Sequence, residues 1–573
     1  MPERVLLLGD DLRAFLAIAR SLGRRGVEVH AAPSDFSSPA LASRYIAAAH
    51  RLPAYPLDPQ AWEAALARLI RQHDFRRVVP TSDSGLFMLR HHADALGRER
   101  LGIVSETALA IFTDKANTRA LAEANGVDVA RGRLIGGEDS AETLAAALGL
   151  PLVLKPRTSY ALGDLKTKRS ARVVRDSADL AAQLGSGAWA GCVAESFFPG
   201  VGVGVSVLAR EGRILLAYQH RRLHESSETG ASTRRVSEPV DPSMLAAVVP
   251  LAAAAKLDGA AMFEFRLDRR SGRHVLLEVN PRFWGSLPLA VAAGADFPGL
   301  WWDLAVHGRE GTTGYRPGVV KADLTGEFDR AVDRLEAARG LGRLRAAFEG
   351  LGAATALFFA REGADSWALD DPEPWRSERR QLLGRLRDAL RKRLPGRKRR
   401  NRVRFEDVAQ TIAERAQARP VRLIVVGRDN VCRSAFAERL LRLRLAGLPV
   451  EIASAGHVPR RGARPSEATV TAAAEFGIDL SGHRSAMLSV ADLERADVLI
   501  LLDEDCEWRL RQLHPDFTAE RVTLAEPGSG AQAFPALAAA LERLAGVVEQ
   551  SFRPAPRAPA SGGEAQPIRR QAA

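Results

Sequence analysis

The chain has 573 residues, more than one hydrophobic core can serve, so length alone sets an expectation of roughly two to four domains. Hydrophobic residues make up 46% and charged residues 26%, and no apolar run approaches bilayer thickness, which excludes a membrane-spanning or low-complexity chain. Three scattered cysteines (Cys192, Cys432, Cys506) exclude a disulfide framework or zinc site, and with no secretory pattern after Met1 they point to the cytoplasm.

Residues 4–8 (RVLLL) read as a short buried strand ending at Gly9, followed by a helix over Leu12–Leu22 and a strand over Val27–Ala32. A helix over Ala61–Arg71 and a strand over Arg77–Pro80 follow, so residues 1–105 are expected to form an open parallel α/β sheet. The Gly9-Asp10 turn lacks the GxGxxG spacing of a dinucleotide site. From about Leu101 the texture changes. A helix over Lys115–Asn125 precedes a strand over Pro151–Lys155. Runs at Gly191–Ser196, Gly204–Ala209, Ile214–Tyr218, Ala260–Leu267 and His274–Val279 then predict an α+β domain over 106–312.

Residues 313–419 lose strand character and read as a helical basic linker. Much of the +12 net charge sits between Arg376 and Arg404. A solvated spacer explains that run. Because Leu382, Leu383, Leu386 and Leu390 recur at helical spacing beside the arginines, an anionic membrane surface or nucleic acid stays open as a partner. A new buried strand at Val421–Val426 opens a domain over 420–552, and the Pro/Ala/Arg-rich tail 553–573 is expected to be disordered.

The segment LEVNPRFWGS (277–286) sets Glu278 and Asn280 two apart on a strand, hence on one face. A carboxylate and an amide oxygen are hard ligands of the kind Mg²⁺ takes. Glu264, in MFEFRLD (262–268), falls on the facing strand of a hairpin closed by DRRSGR. Arg282, just past the strand, can hold a phosphoryl or carboxylate oxygen in its planar fork. An ordinary hairpin with solvated acids would carry the same Glu-x-Asn pair. Two upstream lysines tilt the balance toward a triphosphate: Lys115 at the head of a helix, and Lys155 ending the apolar strand PLVLK, where the ammonium must emerge toward an anion or water.

In order, the opening α/β region, DK (114–115), LKP (154–156), ESFFPG (195–200) with GVSVL (204–208), FEF (263–265) and EVNPRFWGS resemble the ATP-grasp superfamily over about residues 3–310. QHRRLHESSETGAS (219–232) and NPRFWGSLPLAVAAGADFP (280–298) are similar to its carbamoyl-phosphate-synthetase-like branch. The resemblance implies ATP held between two α+β lobes in a ligase that joins a small-molecule carboxylate to an amine. By the same resemblance Lys115 and Lys155 meet the ATP phosphates, and backbone around Glu195 and Phe198 meets adenine. Glu264, Glu278 and Asn280 would hold Mg²⁺, or Mn²⁺ in its place, with Arg282 steadying an acyl phosphate. The loop RTSYALGDLKTKRS (157–170) lacks the family's glycine run, which leaves either Lys166 and Lys168 to cover the phosphates or a looser loop. His220, Arg221 and Arg222 are candidates to face the acceptor, although a packed role suits His220 equally.

Strand Val421–Val426 runs through GRDNVCRS (427–434) into a helix, a junction whose amides and helix N-terminus form an anion hollow with Arg433 as clamp. NVCRSAFAE, SAG (454–456), GIDLSGHRS (477–485) and a strand ending at Asp503 resemble low-molecular-weight protein tyrosine phosphatases over about 421–550. That family implies a parallel four-stranded sheet, a cysteine nucleophile six residues before the loop arginine, and an Asp-Pro general acid. Six before Arg433 is Gly427. Cys432 occupies the loop's second cysteine position, Cys506 is expected on a distant helix, and Glu526-Pro527 stands where Asp-Pro is expected. The anion site is therefore assigned to Asn430, Cys432, Arg433 and Ser434, binding inorganic phosphate or a phosphorylated ligand without the group that forms a covalent intermediate. Two other readings remain open: a nucleotide-sensing regulator with a phospho-ligand-binding domain, and an active tyrosine phosphatase.

Overall fold

The computed structural model describes the chain except residues 1, 10, 54, 56–57, 161–168, 226–231, 338–362, 394–404, 458–461, 504–505, 508, 511–518, 525–529 and 553–573. Lys166, Lys168, Glu526 and the tail therefore lie outside the described residues. The chain divides into two compact units, Met1–Arg393 and Leu394–Ala573.

The first unit opens with strands β1 (Arg4–Leu8), β2 (Glu28–Ala32), β3 (Ile46–Ala49) and β4 (Arg77–Pro80) in the order β3-β2-β1-β4, all parallel. β3 was not expected: IAAA is too short and too Ala-rich to carry a strand pattern. Asp11 caps the helix Leu12–Arg24, accepting from the amides of Arg13 at 3.0 Å and Ala14 at 3.3 Å. That helix buries Phe15, Ile18, Ala19 and Leu22, one face at helical spacing, in a core shared with Trp284 and Phe297.

Strands β5 (Gly132–Leu134), β6 (Leu152–Lys155), β7 (Arg172–Val174) and β8 (Val193–Ser196) form an antiparallel sheet in the order β5-β8-β6-β7. A second antiparallel sheet holds β9 (Val201–Arg210), β10 (Arg213–Glu225), β11 (Ser232–Glu238), β12 (Gly259–Leu267), β13 (His274–Asn280) and β14 (Val320–Ala322), ordered β13-β12-β9-β10-β11-β14. β9 is almost entirely buried, with Val203, Val205 and Val207 in the core containing Phe263 and Phe265, which explains its unbroken apolar run.

β14 corrects the reading of 313–419 as strandless; three residues, Val-Lys-Ala, carry no periodicity to detect. Part of that stretch is also built into the first unit. Arg20 donates to Asp371 Oδ2 at 2.9 Å, Ser43 Oγ donates to the same oxygen at 2.7 Å, and Trp375 and Leu382 are buried. The leucine stripe on helix Glu373–Arg393 is accordingly split: Leu382 faces inward while Leu383 and Leu386 are exposed. Several of its arginines have acidic partners, Arg376 with Glu373 and Arg385 with Asp329. No helix among the described residues is long and apolar enough to cross a membrane.

The second unit carries β15 (Val421–Gly427), β16 (Val450–Gly456), β17 (Val498–Leu501) and β18 (Glu520–Thr523), all parallel in the order β16-β15-β17-β18. Helix Arg433–Arg444 and helix Phe534–Ser551 contribute to its main core, where Phe436 and Phe534 stack at 4.1 Å. Helix Phe405–Ala416 buries Val408, Ala409 and Ile412 in the same core, so ordered packing starts ahead of residue 420.

Candidate functional site

In the β12–β13 ladder Glu264 lies opposite Glu278, and Met262 opposite Asn280. Strand alternation puts Glu278 and Asn280 on one face, and cross-strand pairing brings Glu264 to it; Asn280 Nδ2 donates to Glu264 Oε1 at 3.1 Å. Both carboxylates face cations. Arg222 of β10 pairs with Glu264, and Lys115 Nζ lies 3.3 Å from Glu278 Oε2. Among the described residues no three His, Cys, Asp or Glu side chains form a metal cluster, so a cation here would need the Asn280 amide oxygen as third donor. The donor set of two carboxylates and an amide suits a hard divalent ion.

Lys155 ends β6 almost wholly buried, its Nζ 2.5 Å from Glu195 Oε2 and donating to the carbonyl of Leu277 at 3.4 Å. Arg119 Nη1 approaches the other oxygen of Glu195 at 3.3 Å. Lys115 starts the helix Lys115–Ala124 behind its cap Asp114, which Arg157 also holds, and Lys115 Nζ lies 3.4 Å from Ser159 Oγ. Leu277 and Glu278 are consecutive, so the two lysines, forty residues apart in sequence, converge on one stretch of β13.

Glu195 is placed differently from expectation. Its peptide is committed to the ladders with Gly132 and Val153, and the amides of Ser196 and Phe197 donate to Arg131 and Pro151. Its carboxylate, rather than its backbone, takes part by holding Lys155. Phe198 lies beyond these contacts, with the Arg273 guanidinium 5.7 Å from its ring centre.

Alternation also divides the trio on β10. Arg222 reaches Glu264, Arg221 pairs instead with Glu238 at 2.5 Å, and His220 is buried over Gly204 with its Nε2 3.2 Å from Ser286 Oγ. Burial and the nearby Arg222 and Arg235 push the His220 imidazole down to about 3, so it stays neutral. Arg282 Nε lies 2.5 Å from Asp83 Oδ1, and Nη2 donates to Asn280 Oδ1 at 3.4 Å. Asp83 begins the helix Asp83–His91 directly after β4, and sequence reasoning missed it. The available signal was its place at the carboxyl end of a parallel strand, the edge where open α/β sheets bind ligands.

In the second unit β15 ends at Gly427 and the helix Arg433–Arg444 begins after a five-residue loop. Asn430 bends that loop with a left-handed φ of 56°. Its buried amide donates to Ser434 Oγ at 3.2 Å and Ser454 Oγ at 2.8 Å and accepts from the amide of Ala486 at 2.7 Å, and its carbonyl lies 2.7 Å from His483 Nε2. Asn430 thus shapes the hollow. Arg433 Nη2 lies 2.9 Å from Asp503 Oδ2, and Asp503 Oδ1 accepts from the amide of Cys506 at 2.8 Å. Cys506 is therefore not distant from the loop arginine, a correction of the sequence reading, but burial pushes its thiol well above the ordinary range. Burial likewise raises the Cys432 thiol, which accepts from Thr469 Oγ1 at 3.8 Å, so neither cysteine is poised as a thiolate. Gly427 does not have a positive φ, and a Cβ there would stand 2.6 Å from Ser434 Oγ and 2.9 Å from Ser434 Cβ.

Residues 422–537 match the family model for low molecular weight phosphotyrosine protein phosphatase, and residues 192–324 match that for ATP-grasp in the biosynthetic pathway with Ter operon. The probable low molecular weight protein-tyrosine-phosphatase EpsP of Ralstonia nicotianae is 35% identical over 104 residues, which is 18% of this chain and 70% of that protein. The low molecular weight protein-tyrosine-phosphatase Etp of Escherichia coli is 32% identical over 84 residues, 14% of this chain and 55% of that protein. Among solved structures, the L-amino acid ligase from Bacillus licheniformis aligns with a TM-score of 0.41 at 19% identity, covering 53% of this chain and 74% of that one. The chain belongs to the low-molecular-weight protein-tyrosine-phosphatase family through its C-terminal unit, which is fused to an ATP-grasp domain.

Proposed function

We propose that the first unit is an ATP-dependent ligase that activates a carboxylate as an acyl phosphate for attack by an amine or similar nucleophile. The observation that carries this reading is the convergence on one strand face of Glu264, Glu278 and Asn280, ringed by Lys115, Lys155, Arg222 and Arg282. Mg²⁺ held by Glu264, Glu278 and Asn280 would neutralise charge on the phosphoryl oxygens. Lys115 and Lys155, each already on a carboxylate, exchange that partner for a phosphate. A substrate carboxylate oxygen attacks the γ-phosphorus and ADP leaves; the amine then attacks the acyl carbon, inorganic phosphate leaves, and the amine proton passes to phosphate or water. Arg282, fixed by Asp83, steadies the acyl phosphate.

The division of the first unit at 105 and 312 belongs to this proposal, with β14 and helix Glu373–Arg393 added to that unit and helix Phe405–Ala416 to the second, as does a cytoplasmic location, with which three free cysteines agree. Purified full-length protein should release ADP in the presence of Mg²⁺ with pooled carboxylates and amines. ATP binding without turnover in any pool would turn the reading toward a nucleotide sensor.

A separate observation favours a binding role for the second unit. Gly427 stands at the nucleophile position while Arg433 and its loop are retained, so the hollow is proposed to hold inorganic phosphate or a phosphorylated ligand without hydrolysing it. Hydrolysis of an aryl phosphate by the unmodified protein, lost on Cys432→Ser, would overturn this.

A further inference from the structure

Arg13, like Asp83, lies just past the carboxyl end of a strand of the first sheet, β1 for Arg13 and the adjacent parallel β4 for Asp83. Arg13 is the second residue of helix Leu12–Arg24, and among the described residues no hydrogen bond or ion pair of its guanidinium is shorter than 3.3 Å. Nη1 lies 3.3 Å from Asp323 Oδ2 and 3.5 Å from the carbonyl of Ser232, and Nε lies 3.5 Å from Asp11 Oδ1. Its third nitrogen faces Gly285, where a Cβ would stand 2.8 Å from Nη2. Glycine at this point of the loop after β13 keeps room for the fork. Such a group, its donors spread over long contacts to Asp11, Asp323 and Ser232, keeps Nη2 for a further acceptor.

A second observation lies directly beneath. Ser232, whose carbonyl receives both Arg13 and Arg235, has a buried hydroxyl with no hydrogen-bond partner among the described residues, and the same holds for Nε of the fully buried Arg235 and Oδ1 of its ion-pair partner Asp365. These three polar atoms gather around the Arg235 guanidinium, which shares the Ser232 carbonyl with Arg13, so the floor under Arg13 is polar and suits a hydrogen-bonding ligand or water. Gly285, against which Arg13 Nη2 lies, is three residues past Arg282 in the loop after β13, so this cluster adjoins the side of the site where Arg282 meets Asn280 and Asp83.

We propose that Arg13 is a specificity-determining residue that binds the carboxylate of an amino-acid acceptor, whose amine points toward Asp83 and Arg282. This rests on the ligase reading of the same site. A carboxylate is favoured over a phosphate because Asp11 and Asp323 flank the guanidinium: together they repel a dianion more than a monoanion, and they welcome the ammonium a zwitterion carries.

The test uses full-length protein, MgATP and a pooled set of carboxylate donors. Acceptors are pooled L-amino acids, the corresponding decarboxylated amines, and phosphoethanolamine. ADP release is expected with amino acids and much less with the other two. Arg13→Gln should raise KM for the amino acids about tenfold or more while KM for ATP holds, the pattern of a lost binding contact. Equal use of decarboxylated amines, preference for phosphoethanolamine, or an unchanged KM in Arg13→Gln would overturn the proposal. If no acceptor supports turnover, the ligase reading fails by itself. The Arg13 site is then judged by thermal shift of the full chain with a non-hydrolysable ATP analogue and amino acids: a rise in Tm lost in Arg13→Gln supports it, and no rise overturns it. Gly285→Ala, which crowds Nη2, gives the same comparison should Arg13→Gln fold poorly.

Discussion

Glu278→Gln separates a catalytic role from a structural one because the structure makes the two magnitudes very different. The side chain of Glu278 is 35% exposed and its salt bridge to Lys115 spans 3.3 Å, so solvent screening holds the pair to about 0–1 kcal/mol of stability. In a unit of 393 residues that corresponds to roughly 1 °C in Tm at most. Glutamine is nearly isosteric and retains one oxygen, which shrinks the loss further. As a ligand to the divalent ion, however, the carboxylate carries a full charge facing the phosphoryl oxygens, and removal of one such donor is worth about 3 kcal/mol or more of transition-state stabilisation, on the order of a hundredfold in rate. Measured side by side, a thermal melt and Mg²⁺-dependent ADP release should therefore diverge: near-normal unfolding with turnover down by about two orders of magnitude. Normal ADP formation at ordinary Mg²⁺ would refute the assignment, and a large fall in Tm would show that the Lys115 contact is the residue's main business.

Lys155→Ala should weaken nucleotide affinity measured by calorimetry and also lower Tm, since it leaves Glu195 buried with only the longer contact to Arg119. Glu378 is buried, which raises its carboxyl to about 7 despite hydrogen bonds from Thr325, with Asp323 and Asp365 adding repulsion. The folded state then holds this proton more tightly than the unfolded chain, so the contribution of Glu378 to stability is fully present below about pH 4.5 and is lost as pH rises to about 7, by roughly 3 kcal/mol at most; Glu378→Gln should remove this component from the pH dependence of denaturant midpoints over that window. Phosphate or vanadate should raise the Tm of the full chain by mass action, and Arg433→Met should abolish the rise. Gly427→Cys alone should lower Tm and give little aryl phosphatase activity, because its Cβ meets Ser434; substantial hydrolysis without loss of stability would show that the loop accommodates the side chain freely.

The parts of this fold legible in sequence were those with a period or a breaker. RVLLL, PLVLK and VRLIVV announced buried strands, and Glu278 with Asn280 could be placed on one face because strand alternation leaves no choice. β3 and β14 were not legible, since the four residues IAAA and the three residues VKA hold their places through neighbours already formed. Within the site, the order of Lys115, Lys155, Glu264 and Glu278 was readable, yet their partners were not. Arg119 on Glu195, Arg222 on Glu264 and Asp83 on Arg282 join residues 42 to 199 positions apart, and only the crossing of sheets decides them. Arg221 and Arg222 show the limit most sharply: adjacent, chemically identical, and sent to opposite faces by the pleat.

The phosphate loop adds a different lesson about what a missing residue means. Counting back from Arg433 located Gly427, but the sequence could not show whether the hollow survives the loss of its cysteine. In the structure the loop is braced by Asn430, Ser434, Ser454, His483 and Ala486, and Arg433 by Asp503; the side chain absent at Gly427 supports none of these contacts. The nucleophile is thus separable from the cradle. The reverse is not true, because Ser434 now stands where a Cβ at 427 would need room, and its hydroxyl is one of the loop's own struts. Turning the Ser434 hydroxyl away relieves the 2.6 Å contact but leaves Ser434 Cβ at 2.9 Å, so the backbone must also shift. Adding a thiol at 427 therefore requires both a turn of the Ser434 hydroxyl and a shift of backbone, which is what the proposed anion-binding role of this site leads one to expect.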